Sequence, residues 1–193
     1  MRTFLTVLAL MLSLAACGGD EEITSGGASE KPETSEGETS VTETAMGVQP
    51  ACDLADEADV EAAYAEDVPP GFPGGGGHDE DGLQYQSDNC GWEVEDGLDV
   101  TLAVSVAEDY PDGELVCPEL DSFGEVGTPV SELGDGASWV IDGVDPNEGT
   151  LRVCLDDLNF DIDVESPDGS RDPDTLRAQS VALAGVVLAN LGG

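Results

Sequence analysis

An α+β domain is what this sequence predicts: an antiparallel sheet of about five strands, a helix near each end of the domain, and disulfide staples. Three features carry that expectation. Apolar residues alternate at period two through much of 90–165. Helix-period stripes with capping residues flank that region. Four cysteines remain after an early Cys17.

The chain opens "MRTFLTVLALMLSLAA", with Arg2 ahead of an apolar run from Phe4 to Leu12, then small residues and Cys17. The run is too short for the roughly 20 residues of a membrane span and has the layout of a secretory signal. Leu14-Ala15-Ala16-Cys17 resembles a bacterial lipobox, in which the cysteine is acylated and becomes the first mature residue. Residues 1–16 are therefore expected to be a lipoprotein signal peptide, with Cys17 the lipidation site and membrane anchor. No twin-arginine pair is present, which favours general secretion. Residues 17–49 are rich in Gly, Ser, Thr and Glu. They cannot bury enough apolar surface to offset their ordering entropy, so a disordered acidic tether is expected, with a mean reach of about 30 Å. Residues 50–193 are long enough for a single globular domain with one core.

Within that domain, "CDLADEADVEAAYAE" has a helical pattern: Asp56 can cap, Asp59 stands three residues on, and Val60, Ala63 and Tyr64 share a face. "DVPPGFPGGGGHDEDG" follows. Its three prolines and four consecutive glycines predict a long flexible loop. Next, Cys90, Trp92 and Val94 alternate with Gly91, Glu93 and Glu95, and Leu98, Val100, Leu102, Val104 and Val106 form a second alternating run. A two-residue Asp96-Gly97 turn would set Val94 opposite Asp99. A three-residue loop, which sets Val94 opposite Val100 and Trp92 opposite Leu102, or a bulge is expected instead. Residues 137–141 form another strand pattern.

"TLRVCLDDLNFDIDV" is predicted to be a hairpin turning at Asp156-Asp157. Leu155 then faces Leu158, Val153 faces Phe160, and Leu151 faces Ile162. On the other side Cys154 faces Asn159, Arg152 faces Asp161, and Thr150 faces Asp163. The same stretch begins like an EF-hand, but Ile162 stands where the turn glycine belongs, and Asp168 where a bidentate glutamate belongs. It is expected to be the acid-coated outer face of a strand. The final helix should be capped by Asp172, start at Pro173 and end at Gly192, with Leu176, Ser180, Leu183, Ala184, Val187 and Leu191 facing the core.

Cys52, Cys90, Cys117 and Cys154 are expected to be disulfide-bonded, an even set in an exported chain. Zinc would want close Cys-x-x-Cys pairs, and these cysteines are widely spaced. Cys90 points inward with Trp92, within reach of the first helix; Cys154 points to the opposite face of its hairpin. The pairing expected from these facings is Cys52–Cys90 and Cys117–Cys154.

"CDLADEADVEAA", "CGW", "PVSELGDGASWV", a hairpin and a closing Ala/Val/Leu helix occur in that order across 50–191. This series resembles a group of actinobacterial lipoproteins of unknown function. Here Glu132 replaces the first glycine of the usual Gly-Leu-Gly-Asp segment, and the Cys117 and Cys154 pair is less usual. The resemblance implies an extracytoplasmic binding or sensing domain and supplies no active-site residues, catalytic group, cofactor or metal ligand.

The sole histidine, His78, beside four glycines, is expected to be solvated and a poor general base. Phe72 in the 66–82 loop is a candidate exposed anchor for a partner. A lipid-anchored binding or sensor domain, a monomer contacting an envelope protein or small ligand, is the first reading. A cell-envelope hydrolase using a carboxylate pair and loose calcium binding by clusters such as "HDEDG" are the alternatives. The charge excludes nucleic acid as a direct partner and leaves a cationic ligand open.

From Ala51 onward, 35 acids face only Arg152, Arg171 and Arg177, a net charge near −32. Such a surface repels itself, and self-repulsion opposes the compact state. The Debye length shrinks from about 10 Å at about 0.1 M salt to about 3 Å at about 1 M. The melting temperature of the oxidised protein should climb steadily between about 0.1 M and about 2 M sodium chloride, as expected of a salt-adapted surface. A flat or falling calorimetric curve would overturn that expectation.

Overall fold

The structure, a computed structural model, describes residues 50–192 apart from 96, 123, 143–146 and 168. Cys17, the signal and the tether lie outside the described residues. A one-turn helix α1, Ala51–Leu54, precedes α2, Glu57–Tyr64. Asp56 and Asp59 form a reciprocal cap, each carboxylate accepting the other's backbone N–H. Val60 and Tyr64 face the core, with Ala63 packed against it.

The first correction concerns 66–82, expected to be a flexible loop. Its second half is a strand, β1, Phe72–Glu80, paired antiparallel with β2, Leu83–Glu93, over the full length of β1. The two-residue tip is Asp81-Gly82, both at positive φ (50° and 85°). That is the twist a type I′ turn requires, and Asp-Gly supplies it. Four glycines weaken a strand's preference, but here the backbone ladder to β2 holds them. His78 is correspondingly half-buried rather than solvated.

β3, Asp99–Val106, pairs with β2. The strands close one position earlier than expected: Val94 N donates to Leu98 O, and Trp92 faces Val100. The register moves by two residues, so every side chain keeps its face. Two short strands, β4 (Asp121–Ser122) and β5 (Glu125–Val126), pair only with each other. Then come β6 (Thr128–Pro129), β7 (Ala137–Ile141), β8 (Glu148–Cys154), β9 (Leu158–Glu165) and α3 (Pro173–Leu191).

The main sheet has seven strands rather than about five, in the order β1-β2-β3-β9-β8-β7-β6. The additions are β1 and the two-residue β6. Register aligns apolar residues in rows across it: Cys90, Leu102, Ile162, Leu151 and Trp139 form one. This face packs under the three helices as one buried cluster. α3 contributes Leu176, Ser180, Leu183, Ala184 and Val187, capped by Asp172 on Thr175 N. Leu191, expected in that stripe, packs at its margin. Among the described residues no helix is long and apolar enough to cross a membrane. Disulfides join Cys52 to Cys90 and Cys117 to Cys154. The first is tucked into the helix-side core, where Cys90 is fully buried.

Two glycines separate packing from flexibility. A Cβ on Gly71 would lie 2.7 Å from both Cys90 Sγ and Trp92 Nε1, atoms fixed by the core. A Cβ on Gly74 would meet nothing within 4 Å, and its φ is ordinary. Gly71→Ala should lose about 1–3 kcal/mol in urea denaturation. Gly74→Ala should gain about 0.4–1 kcal/mol by restricting the unfolded chain.

Candidate functional site

The sheet's other face is polar, and the expectation that it is an acid-coated outer surface is corrected here. Asn89, Ala103, Asp161, Arg152 and Ser138 form one row; Gly91, Thr101, Asp163, Thr150 and Val140 form the next. The hairpin pairing of 150–163 is the expected one, residue for residue. Yet Arg152 and Asn159 are buried, and Asp161 and Asp163 half-buried. Two covers explain this. Leu83–Ser87 of β2 pair only with β1, because β3 begins its pairing at Asp88. The free end of that hairpin curls over the polar face and delivers Glu80 to Arg152. The connection from β3 to β6 crosses the same face.

Arg152 is the hub. Its Nε and Nη2 donate to Asp161 at 2.9 and 2.7 Å, and its Nη1 and Nη2 donate to Glu80 at 2.7 Å each. Nη1 also reaches Pro118 O at 3.3 Å on the covering strap. The planar fork suits two bidentate carboxylates as no lysine could. Burial opposes the charge on Glu80, but hydrogen bonds from Arg152 and Tyr85 outweigh it and hold its carboxyl below the usual range.

Tyr85 is stacked between His78 and Tyr110, with ring centroids 4.6 and 4.9 Å away. Burial, then the bond to Glu80, pushes its hydroxyl pKa up. His78 Nε2 lies 2.8 Å from Ser87 Oγ, whose own proton is directed to Asn89 Oδ1 at 2.6 Å. Ser87 is buried, so this contact orients the ring and presents no open nucleophile. Asn159 Nδ2 donates to Tyr110 Oη and Val116 O, tying down the strap.

Beside the hub lies a groove of about 420 Å³. Asp79, Glu80, Asp81 and Leu83 make one wall; Pro118, Glu119, Leu120 and Asp121 make the other. Among the described residues, five carboxylates and no basic side chain line it. Among the described residues no His, Cys, Asp or Glu side chains are grouped as metal ligands.

Asp163 accepts from Thr150 Oγ1 at 2.7 Å. Burial, then the neighbouring charge of Asp161, pushes its carboxyl up to about 7.

Of the residues singled out in the sequence, His78 joins the polar face. Phe72 is a half-exposed strand residue whose ring lies over Gly91. Cys117 and Cys154 fasten the strap to the face. The capture of Glu80 by Arg152 was missed; its one signal was a lone arginine among the apolar or small residues of 149–154. No protein-family model matches the chain, and no match was found among curated proteins or solved structures.

Arg152→Ala leaves two carboxylates facing each other with no counter-charge. It should cost about 3–5 kcal/mol in chemical denaturation, far more than Arg177→Ala at the surface. The raised pKa of Asp163 means that between pH 3.8, its ordinary value, and about 7 the folded state holds a proton the unfolded state has lost. Its contribution to stability is complete at low pH and disappears as pH rises through about 7. The difference in stability between Asp163→Asn and the natural protein should therefore grow in the variant's favour across that window, read from urea midpoints at successive pH values.

Proposed function

We propose that the chain is a lipid-anchored extracytoplasmic binding domain, held to the outer membrane face through Cys17, whose acidic groove takes a cationic ligand. One observation carries this reading: carboxylates from two separate segments, 79–81 and 119–121, converge on a single groove with no base among its lining residues. Glu80 is fixed in place by Arg152, so that wall is set before a ligand arrives, which reduces the cost of ordering on binding. Leu83, Pro118 and Leu120 add apolar area that a hydrated metal ion would not use. An amine or guanidinium on an organic body fits both features. The lipobox and the resemblance to actinobacterial lipoproteins support the location, as do two disulfides, which persist in oxidising compartments.

The hydrolase alternative needs a carboxyl that keeps its proton near neutrality next to a second carboxylate. Asp163 has the raised pKa but faces Thr150 and is not part of the groove lining. Glu80, which does line it, is pushed the other way.

Isothermal titration of the full chain with spermidine at about 0.1 M salt tests the proposal, with binding expected to weaken steeply as salt rises. Glu119→Gln combined with Asp121→Asn should weaken binding about tenfold or more, equivalent to about 1.4 kcal/mol. Glu93→Gln with Asp99→Asn removes the same charge away from the groove and should leave affinity within about twofold of the natural protein. Equal losses from the two pairs would mean diffuse attraction to an acidic protein and would remove the groove from the account.

A further inference from the structure

The two disulfides sit in different environments. Cys90 is fully buried in the helix-side core, and Cys52 packs against that core. Cys117 is exposed, and Cys154 is half-buried on the polar face. What each bond holds differs as well. Among the described residues, the buried core cluster takes none from 107–129. The strap is held to the sheet mainly by side chains: Asn159 on Val116 O and Tyr110, Arg152 on Pro118 O, and the Cys117–Cys154 bond. The four residues after Cys117 are one whole wall of the acidic groove.

We propose that Cys117–Cys154 is an exchangeable disulfide that switches the groove, resting on the binding function proposed above for its effect on ligand. The reductant is a dithiol. Its thiolate attacks Sγ of Cys117, an exposed residue, and the Cys117–Cys154 bond breaks with its electron pair leaving on Cys154 Sγ, which takes up a proton. The second thiol of the reductant then attacks its own sulfur in the mixed disulfide and releases Cys117 as a thiolate, which is protonated in turn. The reductant ends as a disulfide, and the protein gains two electrons and two protons. At Cys52–Cys90 one sulfur, that of Cys90, is enclosed and Cys52 is half-buried against the core, so a reductant has less access there than at the exposed Cys117. Cutting Cys117–Cys154 leaves the core cluster whole but frees the wall at 118–121 from its covalent anchor. The groove then loses the fixed spacing of its two carboxylate walls. A small neutral dithiol or a protein dithiol is suited to the exchange, because the protein's negative field disfavours an anionic thiol such as glutathione.

The test uses the full chain carrying Cys17→Ser, so that the only thiols are those that reduction releases. The protein is titrated with dithiothreitol, alkylated, and mapped by mass spectrometry. Amide hydrogen exchange and spermidine titration are followed on the same samples. Cys117 and Cys154 should be alkylated at dithiothreitol concentrations at least tenfold below those that open Cys52–Cys90. Exchange should rise at 116–121 while the helices and β3, β8 and β9 stay protected. Spermidine affinity should fall at least tenfold and return on reoxidation. Cys117→Ser with Cys154→Ser should reproduce the reduced state without reductant.

Simultaneous opening of both disulfides, or unchanged exchange at 116–121 after reduction, would overturn the proposal. Unchanged spermidine affinity in a selectively reduced protein would overturn its role as a switch. If the oxidised protein binds no spermidine, the ligand assignment falls, and the exchangeable bond is then decided by alkylation order and hydrogen exchange alone.

Discussion

A sheet with two buried faces must satisfy the polar groups on both, and in this protein one guanidinium meets most of that demand. Arg152 gives hydrogen bonds to Asp161, Glu80, Pro118 and Tyr85. Those partners come from a neighbouring strand, the tip and body of the β1–β2 hairpin, and the strap. Without that charge, Glu80 would have no reason to leave water, the hairpin no reason to curl, and the strap one fewer anchor. The pairing need not add net stability, because desolvating three charged groups is expensive. Its role is to select one arrangement of three chain segments, since any other leaves a carboxylate buried alone.

The two faces also differ in how order is achieved. On the helix side the rows from Cys90 to Trp139 bury apolar area without directional demands. On the polar side each contact has a donor, an acceptor and an angle. The stack His78–Tyr85–Tyr110 and the ties from Asn159 hold the strap in one place over the sheet. The acidic groove inherits its shape from this face: one wall is the hairpin tip, the other the strap.

The hairpin at 150–163 was legible to the residue, because apolar pairing and the opposition of Arg152 to Asp161 agree on one register. The caps at Asp56 and Asp172 were legible for the same reason, local chemistry within one turn. β1 was misread because glycine and proline content outweighed the Asp81-Gly82 signal. Between β2 and β3 face matching decides instead, and Val94 meets Leu98. The burial of the polar face was not legible at all. Nothing periodic marks the strap, and Glu80 and Arg152 stand 72 residues apart. Contacts of that kind follow from how finished elements pack, which local pattern does not encode.

The disulfide loops have a further consequence, in the order of biosynthesis. They are consecutive along the chain, Cys52 to Cys90 and then Cys117 to Cys154, closing 38 and 37 residues, and neither encloses the other. Four cysteines permit three pairings, and only one of them joins each cysteine to the next to appear. If the chain is exported N-terminus first, as proposed, Cys52 and Cys90 meet oxidant while Cys117 is still being made or threaded. Pairing in order of arrival therefore yields the native connectivity, and the scrambled forms would require the first pair to wait.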